Sequence, residues 1–246
     1  QGEPQRGAPR ARAQRGVVAV RRRAPRPGGY RAVVFDLDGT LTREANSWTA
    51  VQRKLGPGHA EREYARWTRY REGALDGRGF LVEQVADLRG EASALLDQVV
   101  AEVEYHDGVA AACEALRAAG VRLAIVSAGI TALAERVAAD LSMELHRANT
   151  IHVVDGLFTG EAEIAVPPGG KAPVFAETVA AMGLDPAEVV AVGDSPGDID
   201  MFRAAGLGVA FCPVNAETAA AADVIIDTPD MRRLVPLVLG GGEVGR

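Results

Sequence analysis

Several things are scarce in this chain, and each shortage removes a class of function. Only Cys113 and Cys212 are present, too few for a disulfide framework or a zinc-type thiolate cluster. That usage predicts a reducing, cytoplasmic compartment. No apolar run approaches the roughly 18 residues needed to span a bilayer, and the longest tail candidate, Leu234 to Leu239, is interrupted by Pro236. No membrane partner is expected. Histidine is sparse too, and His59, His106, His146 and His152 lack ligand spacing. Positive charge is deficient overall: a net charge of -6 and a pI near 5.3 argue against generic nucleic-acid binding, which needs a basic surface. The deficit is uneven. Residues 1 to 31 carry nine Arg and one Glu, a formal +8, so the remainder carries -6 minus 8, or -14. The basic leader, residues 1–28, is rich in Pro, Gly, Gln and Ala and is expected to be disordered and dispensable.

The 246 residues, 48% of them hydrophobic, suffice for one α/β core plus a smaller inserted unit. Short β-branched runs ending in polar or Gly residues predict core strands at Ala32–Phe35, Arg122–Val126, Val189–Val192, Gly208–Phe211 and Val224–Ile226. Ala-rich segments at Gly108–Ala119, Ile130–Leu141, Ala172–Met182 and Ile199–Ala205 predict the crossover helices. Alternation around Asp155-Gly156 predicts a hairpin over Ile151–Ile164. The first two strands are about 85 residues apart, more than a crossover needs, so residues 44–105 are expected to form an inserted helical cap. Its predicted helices are Ser47–Leu55, His59–Glu72, Phe80–Leu88 and Ala92–Glu104. The expected fold is thus α/β, a Rossmann-like parallel sheet core over 29–43 and 106–246 with a small helical cap after the first strand.

The first strand runs into Asp36-Leu37-Asp38-Gly39-Thr40-Leu41-Thr42, placing two carboxylates at a strand's carboxyl end, where open α/β sheets bind ligands. Alone, the pair also reads as a turn or as part of a calcium loop, although Ser47 stands where such a loop requires Glu. A second acidic pair follows another strand in Gly193-Asp194-Ser195-Pro196-Gly197-Asp198. If the two strand ends are neighbours, four carboxylates converge and recruit a hard cation, magnesium first. Ser127-Ala128-Gly129 follows the second strand as a small, permissive turn before a helix and offers a hydroxyl and backbone N–H groups to a phosphoryl oxygen. Lys171, after Pro167-Pro168-Gly169-Gly170, brings a cation to a helix start.

In this order the four elements resemble the haloacid dehalogenase superfamily, over essentially residues 32 to 235. The resemblance implies that Asp36 attacks phosphorus, that Asp38 protonates the leaving oxygen and then activates water, and that Lys171 neutralises phosphoryl charge. It implies phosphate binding by Thr40, Ser127, Ala128, Gly129 and Lys171, and Mg2+ held by Asp36, Asp38 through its carbonyl, Asp194 and Asp198, the last directly or through water. The general acid at Asp38 fits an alkoxide leaving group rather than a halide.

Within the superfamily the chain is most similar to the phosphoserine phosphatase group, in the cap position, in Val154-Asp155-Gly156-Leu157-Phe158-Thr159-Gly160-Glu161, and in Val209-Ala210-Phe211-Cys212. It departs from that group where the substrate is gripped. Ala45 stands at the cap-entrance Glu position with Glu44 one place early, Gln84 stands where the cap Arg falls, and Gly197 replaces an Asn. Losing both charged grips argues against phosphoserine. Both tryptophans, Trp48 and Trp67, fall in the cap with Tyr64 and Tyr70; the spacing of Tyr64 and Trp67 predicts helix packing, and Trp48 a substrate contact. Arg62, Arg66 and Arg69 share a helical face, a solvated stripe unless it lines the cleft. The substrate contacts expected are therefore Glu44, Trp48 and Gln84. The leading reading is a magnesium-dependent phosphomonoesterase acting on a small-molecule phosphate ester such as a sugar phosphate or nucleotide. The alternatives are a phosphoserine phosphatase, a phosphomutase, or a binding protein acting through the basic arm.

Overall fold

The computed structural model describes residues 17–19, 26 and 28–240. Along the chain lie β1 (Val17–Ala19), β2 (Ala32–Phe35), α1 (Ser47–Leu55), α2 (Pro57–Arg71), α3 (Gly77–Ala86), α4 (Ala94–Glu102) and α5 (Val109–Ala118). Then come β3 (Arg122–Ile130), α6 (Thr131–Leu141), β4 (Leu145–Val154), β5 (Leu157–Glu163), α7 (Lys171–Ala181) and β6 (Val189–Gly193). The chain closes with α8 (Ile199–Ala204), β7 (Leu207–Phe211), α9 (Ala216–Ala221), β8 (Val224–Ile226) and α10 (Leu234–Leu239).

The eight strands form one sheet in the order β1-β8-β7-β6-β2-β3-β4-β5. Its centre, from β8 to β4, is parallel, and β1 and β5 add antiparallel edges. All four residues of β2 are fully buried, as a strand covered on both faces requires. Alternation divides them: Val33 and Phe35 pack with Leu116 of α5, Leu133 of α6 and Leu234 of α10. Ala32 and Val34 pack on the other face with Phe175 of α7 and Phe202 of α8. The result is a sheet between two helical layers.

Two expectations are corrected, and one strand segment lies where the sequence predicts none. The segment expected to be disordered contributes Val17–Ala19, which pair with Val224–Ile226 along the sheet edge; its remaining residues, apart from Arg26 and Gly28, lie outside the described ones. Ser127-Ala128-Gly129 is not a turn but an irregular continuation of β3, whose register against β4 shifts between Val126 and Ile130. Leu145–Thr150, too mixed in polarity to stand out as a strand, extends the hairpin strand back to pair with β3. Short α9 and α10 were also not predicted, because six residues give too little periodicity.

The four helices between β2 and α5 form the inserted unit, called the cap below. Asn46 starts α1 by accepting from Thr49 N at 3.0 Å, and Pro57 opens α2 at a position where its missing N–H costs nothing. The two connections to the core run side by side: Arg43 N donates to Glu104 O at 2.8 Å and His106 N to Leu41 O at 3.1 Å. A second attachment reaches the β4-β5 hairpin. Gly90 N donates to Phe158 O, Phe158 N to Glu91 O, and Ser93 N to Gly156 O, each at 2.9 Å. The hairpin's tight turn, with Asp155 at φ 50° and Gly156 at φ 78°, has the two positive φ values that an Asp-Gly pair supplies. Among the described residues, no helix is long and apolar enough to cross a membrane.

Candidate active site

Because β2 lies between β6 and β3, the polar segments after all three strands meet at the carboxyl edge of the sheet. Asp36 is the first residue beyond β2, and its N–H still bonds Val192 O of β6 at 2.8 Å, which fixes its backbone. The chain then folds tightly, with the N–H groups of Leu41 and Thr42 on Leu37 O at 3.0 and 3.1 Å. Gly39, at φ 79°, makes the turn possible and admits Asp194: an added Cβ there would lie 2.6 Å from Asp194 Oδ2.

Lys171, the first residue of α7, is buried and places Nζ 2.6 Å from Asp36 Oδ1 and 2.6 Å from Asp198 Oδ1. Burial alone would push its pKa down; the carboxylates of Asp198 and Asp36 more than reverse this and keep it cationic. Asp198 is filled on both oxygens, since Oδ2 accepts from Asp194 N at 3.1 Å, Ser195 N at 2.9 Å and Ser195 Oγ at 3.0 Å. Asp194 Oδ1 accepts from Thr40 Oγ1 at 2.9 Å, so the Thr40 hydroxyl is committed to orienting a carboxylate rather than to a phosphate. Burial, and then the charge of Asp198, raise the Asp194 pKa to about 7. The same two causes, in the same order, raise that of Asp36 against the pull of Lys171.

Asp36, Asp194 and Asp198 each offer a carboxylate oxygen within 4.8 Å of the others. Three carboxylates and one ammonium leave a formal charge of -3 plus 1, or -2, in a buried site. An all-oxygen donor set with that surplus fits a hard divalent cation. The fuller bonding of Asp198 makes Asp36 and Asp194 the freer ligands, and Asp198 the support of Lys171.

Asp38 is tied to the first helix of the cap. Its Oδ2 accepts from Ser47 N at 2.9 Å and Ser47 Oγ at 2.7 Å, while Oδ1 is buried without a hydrogen-bond partner. Burial raises its pKa, opposed by the two Ser47 bonds. Ser127 is buried, with Oγ accepting from Gly129 N at 3.0 Å. Gly129 permits the approach of the cap, because a Cβ there would meet Asp38 Oδ2 at 2.8 Å and Ser47 Oγ at 2.9 Å. Ala128 O accepts from Asn149 Nδ2 and from Trp48 Nε1, each at 2.9 Å. Trp48 is thus buried with its N–H spent on the strand end, instead of presenting a polar face to a substrate.

The remaining expected contacts lie in the cap. Glu44 is bound by Arg53 and accepts from Asn46 N at 3.3 Å, while Ala45 is exposed. Gln84 is buried and donates to both oxygens of Glu63 at 3.0 and 2.8 Å. Arg62, Arg66 and Arg69 are paired with acidic residues: Arg62 with Asp87, Arg66 with Glu63 and Asp87, and Arg69 with Glu83. Tyr64 and Trp67, expected to pack the cap, are 73% and 44% exposed, with Arg71 stacked on Trp67, because α2 turns most of its surface outward.

Three residues escaped the sequence reading. Ser47 meets Asp38 only through the fold, although the Asn46 cap signals that a helix start lies there. Asn149 is fully buried and joins two site segments, donating to Ala128 O and Val166 O and accepting from Val166 N, all at 2.9 Å. His106 Nε2 lies 3.1 Å from Gly39 O, where the chain leaves the cap, and burial lowers its pKa.

Residues 33–203 match the model of the haloacid dehalogenase-like hydrolases. A phosphoserine phosphatase of Streptomyces coelicolor is 35% identical over 184 residues, 74% of this chain but only 44% of that protein's length. One from Streptococcus thermophilus is 30% identical over 217 residues, covering 87% of this chain and 97% of its own. A solved phosphoserine phosphatase in a phospho-aspartyl intermediate analogue form superposes with a TM-score of 0.75 and 25% identity, covering 85% of this chain and 99% of that one. The chain belongs to the haloacid dehalogenase-like hydrolase family, and its similarities place it among that family's phosphatases, which hydrolyse phosphoric monoesters.

Proposed function

We propose that the chain is a magnesium-dependent phosphomonoesterase that hydrolyses a small-molecule phosphate ester through a phosphorylated Asp36. The observation that carries this reading is the contrast between its two strand-end aspartates. Asp36 is held against Lys171, whereas Asp38 keeps one buried oxygen unpartnered and a raised pKa. A carboxylate oxygen of Asp36 attacks phosphorus, the bond from phosphorus to the ester oxygen breaks, and Asp38 gives its proton to the departing alkoxide. Asp38, now a base, takes a proton from water, whose oxygen attacks the same phosphorus and returns Asp36 as phosphate leaves. Lys171, the Ser127 hydroxyl and the N–H group at Ala128 hold the phosphoryl oxygens, while the N–H of Gly129, already donated to Ser127 Oγ, orients that hydroxyl. Asp36, Asp194 and the carbonyl of Asp38 would hold Mg2+, which would supply charge neutralisation for the phosphoryl group.

Magnesium-dependent release of p-nitrophenol from its phosphate ester tests this reading; turnover no greater than that of Asp36→Asn sinks it. The names of the curated relatives favour a second, narrower reading with phosphoserine as substrate. Against it stand exposed Ala45, Glu44 neutralised by Arg53, and Gln84 in place of a cationic grip.

A further inference from the structure

His106 stands where the chain leaves the cap, and it holds the loop after β2 at two points. Its backbone N–H donates to Leu41 O, and its ring Nε2 meets Gly39 O, each at 3.1 Å. A carbonyl oxygen only accepts, so Nε2 carries the ring proton, and Nδ1, buried without a partner among the described residues, carries none. A second proton there would be an N–H with nothing to receive it, and burial holds the ring pKa down. The charged groups beside the ring, Arg43 and Asp107, pair with each other at 2.7 Å. The ring also stands edge-on to Phe211 at the end of β7, with centroids 5.2 Å apart and planes at 72°, so packing fixes the direction of its N–H.

The two carbonyls that His106 holds flank Thr40, whose hydroxyl donates to Asp194 Oδ1 at 2.9 Å. The peptide between Gly39 and Thr40 is thereby held at both ends, since Thr40 N donates to Leu37 O at 3.3 Å. The peptide before it is held by Gly39 N, which donates to Glu44 O at 2.8 Å. Because the N–H and C=O of a trans peptide point oppositely, that bond turns the Asp38 carbonyl away from Glu44. Gly39, at φ 79°, has the greatest backbone freedom in this loop and most needs an outside hold. Resting on the phosphatase reading above, we propose that His106 is a positioning residue for the cation: as the neutral Nε2–H tautomer it fixes the Gly39 carbonyl, and through Thr40 and the neighbouring peptide it sets Asp194 and the Asp38 carbonyl for Mg2+. His106 itself touches neither the ion nor the substrate. Its part is that of the outer partners that orient metal ligands.

The test titrates Mg2+ into the metal-free full chain by calorimetry, which reads binding without turnover. His106→Phe keeps an aromatic ring against Phe211 and removes the donor, and it is expected to weaken Mg2+ binding by about tenfold or more, the scale of lost support behind metal ligands. His106→Gln, whose amide nitrogen takes the place of Nε2, should recover most of that loss. Unchanged Mg2+ affinity in a folded His106→Phe, even with a lowered melting temperature, makes the residue merely structural and overturns the proposal while leaving the phosphatase reading intact. Equal weakening in both variants overturns it as well, since the donor then does not matter. An unaltered chain that binds no Mg2+ overturns both readings. Should His106→Phe fail to fold, the imidazole nitrogen signals of the unaltered chain, followed by NMR, decide. An Nε2–H that shifts when Mg2+ is added is expected; a proton on Nδ1, or a ring unmoved by Mg2+, overturns the proposal.

Discussion

At Gly129 a single hydrogen occupies the space between Asp38, Ser47 and Ser127, and a Cβ would lie 2.8, 2.9 and 3.1 Å from their oxygens. Gly129→Ala is therefore expected to retain its fold but lose roughly a hundredfold or more in kcat, because a displacement of ångström scale at the reacting groups is enough. Wild-type turnover in the alanine variant would show that Asp38 does not need this position. Asp36→Asn and Asp38→Asn should each cost several powers of ten, about the 10⁴ to 10⁶ range of catalytic-unit knockouts, in single-turnover assays. Asp194 makes a different prediction, through pH. Its folded pKa of about 7 stands above its unfolded value, so the folded state binds the proton more tightly. The stability this contributes is complete below about pH 4 and is lost as pH rises through about 7, and Asp36 shifts in the same direction. The metal-free protein should accordingly melt at a lower temperature at pH 8 than at pH 5, and Mg2+ should raise the melting temperature more at pH 8, where it competes with fewer protons. A larger effect of Mg2+ at pH 5 would exclude these carboxylates as its ligands.

Helix α1 reaches the site directly, because Ser47 at its first turn holds one oxygen of Asp38, the proposed general acid. Both Ser47 bonds lower the Asp38 pKa against burial. Ser47→Ala removes the hydroxyl bond, so that pKa should rise and the alkaline limb of kcat/KM, where the acid is lost, should move to higher pH. An unmoved limb in a folded variant would argue that another group protonates the leaving oxygen. None of this was visible in the order of residues. Strand β2 was legible because Ala-Val-Val-Phe followed by paired aspartates is local, and Ser127 and Lys171 were legible by order. Ser47, Asn149 and His106 act on residues 9, 21 and 67 positions away, through contacts that no short window contains. Trp48 and Gln84 were recognised as notable without their direction, since periodicity shows which residues share a face but not what that face meets. The small residues of Ser127–Gly129 read as a turn, whereas pairing of Val126 and Ile130 with β4 on either side keeps the stretch within β3.

Across the described residues, the sheet order separates β1 from the strand ends that carry the candidate site. Strand β1 lies at one edge, with β8, β7 and β6 between it and β2. Deleting residues 1–25 should keep kcat/KM within about twofold, since substitutions remote from a site rarely alter it, while the melting temperature falls as the β8 edge is uncovered. A large loss of turnover would instead make the basic arm part of the functional unit. The cap is fastened twice, through its antiparallel connections at Thr42 and Tyr105 and, towards the other edge, through the backbone bonds between 90–93 and 156–158. The hairpin so engaged is continuous with β4, whose Asn149 grips Ala128 O. For anyone recombining this enzyme with a relative, the transferable part is therefore not one contiguous block. A chimera exchanging residues 44–105 alone would set a foreign cap on a native hairpin, and the exchange should behave as a module only when the hairpin is carried along with it.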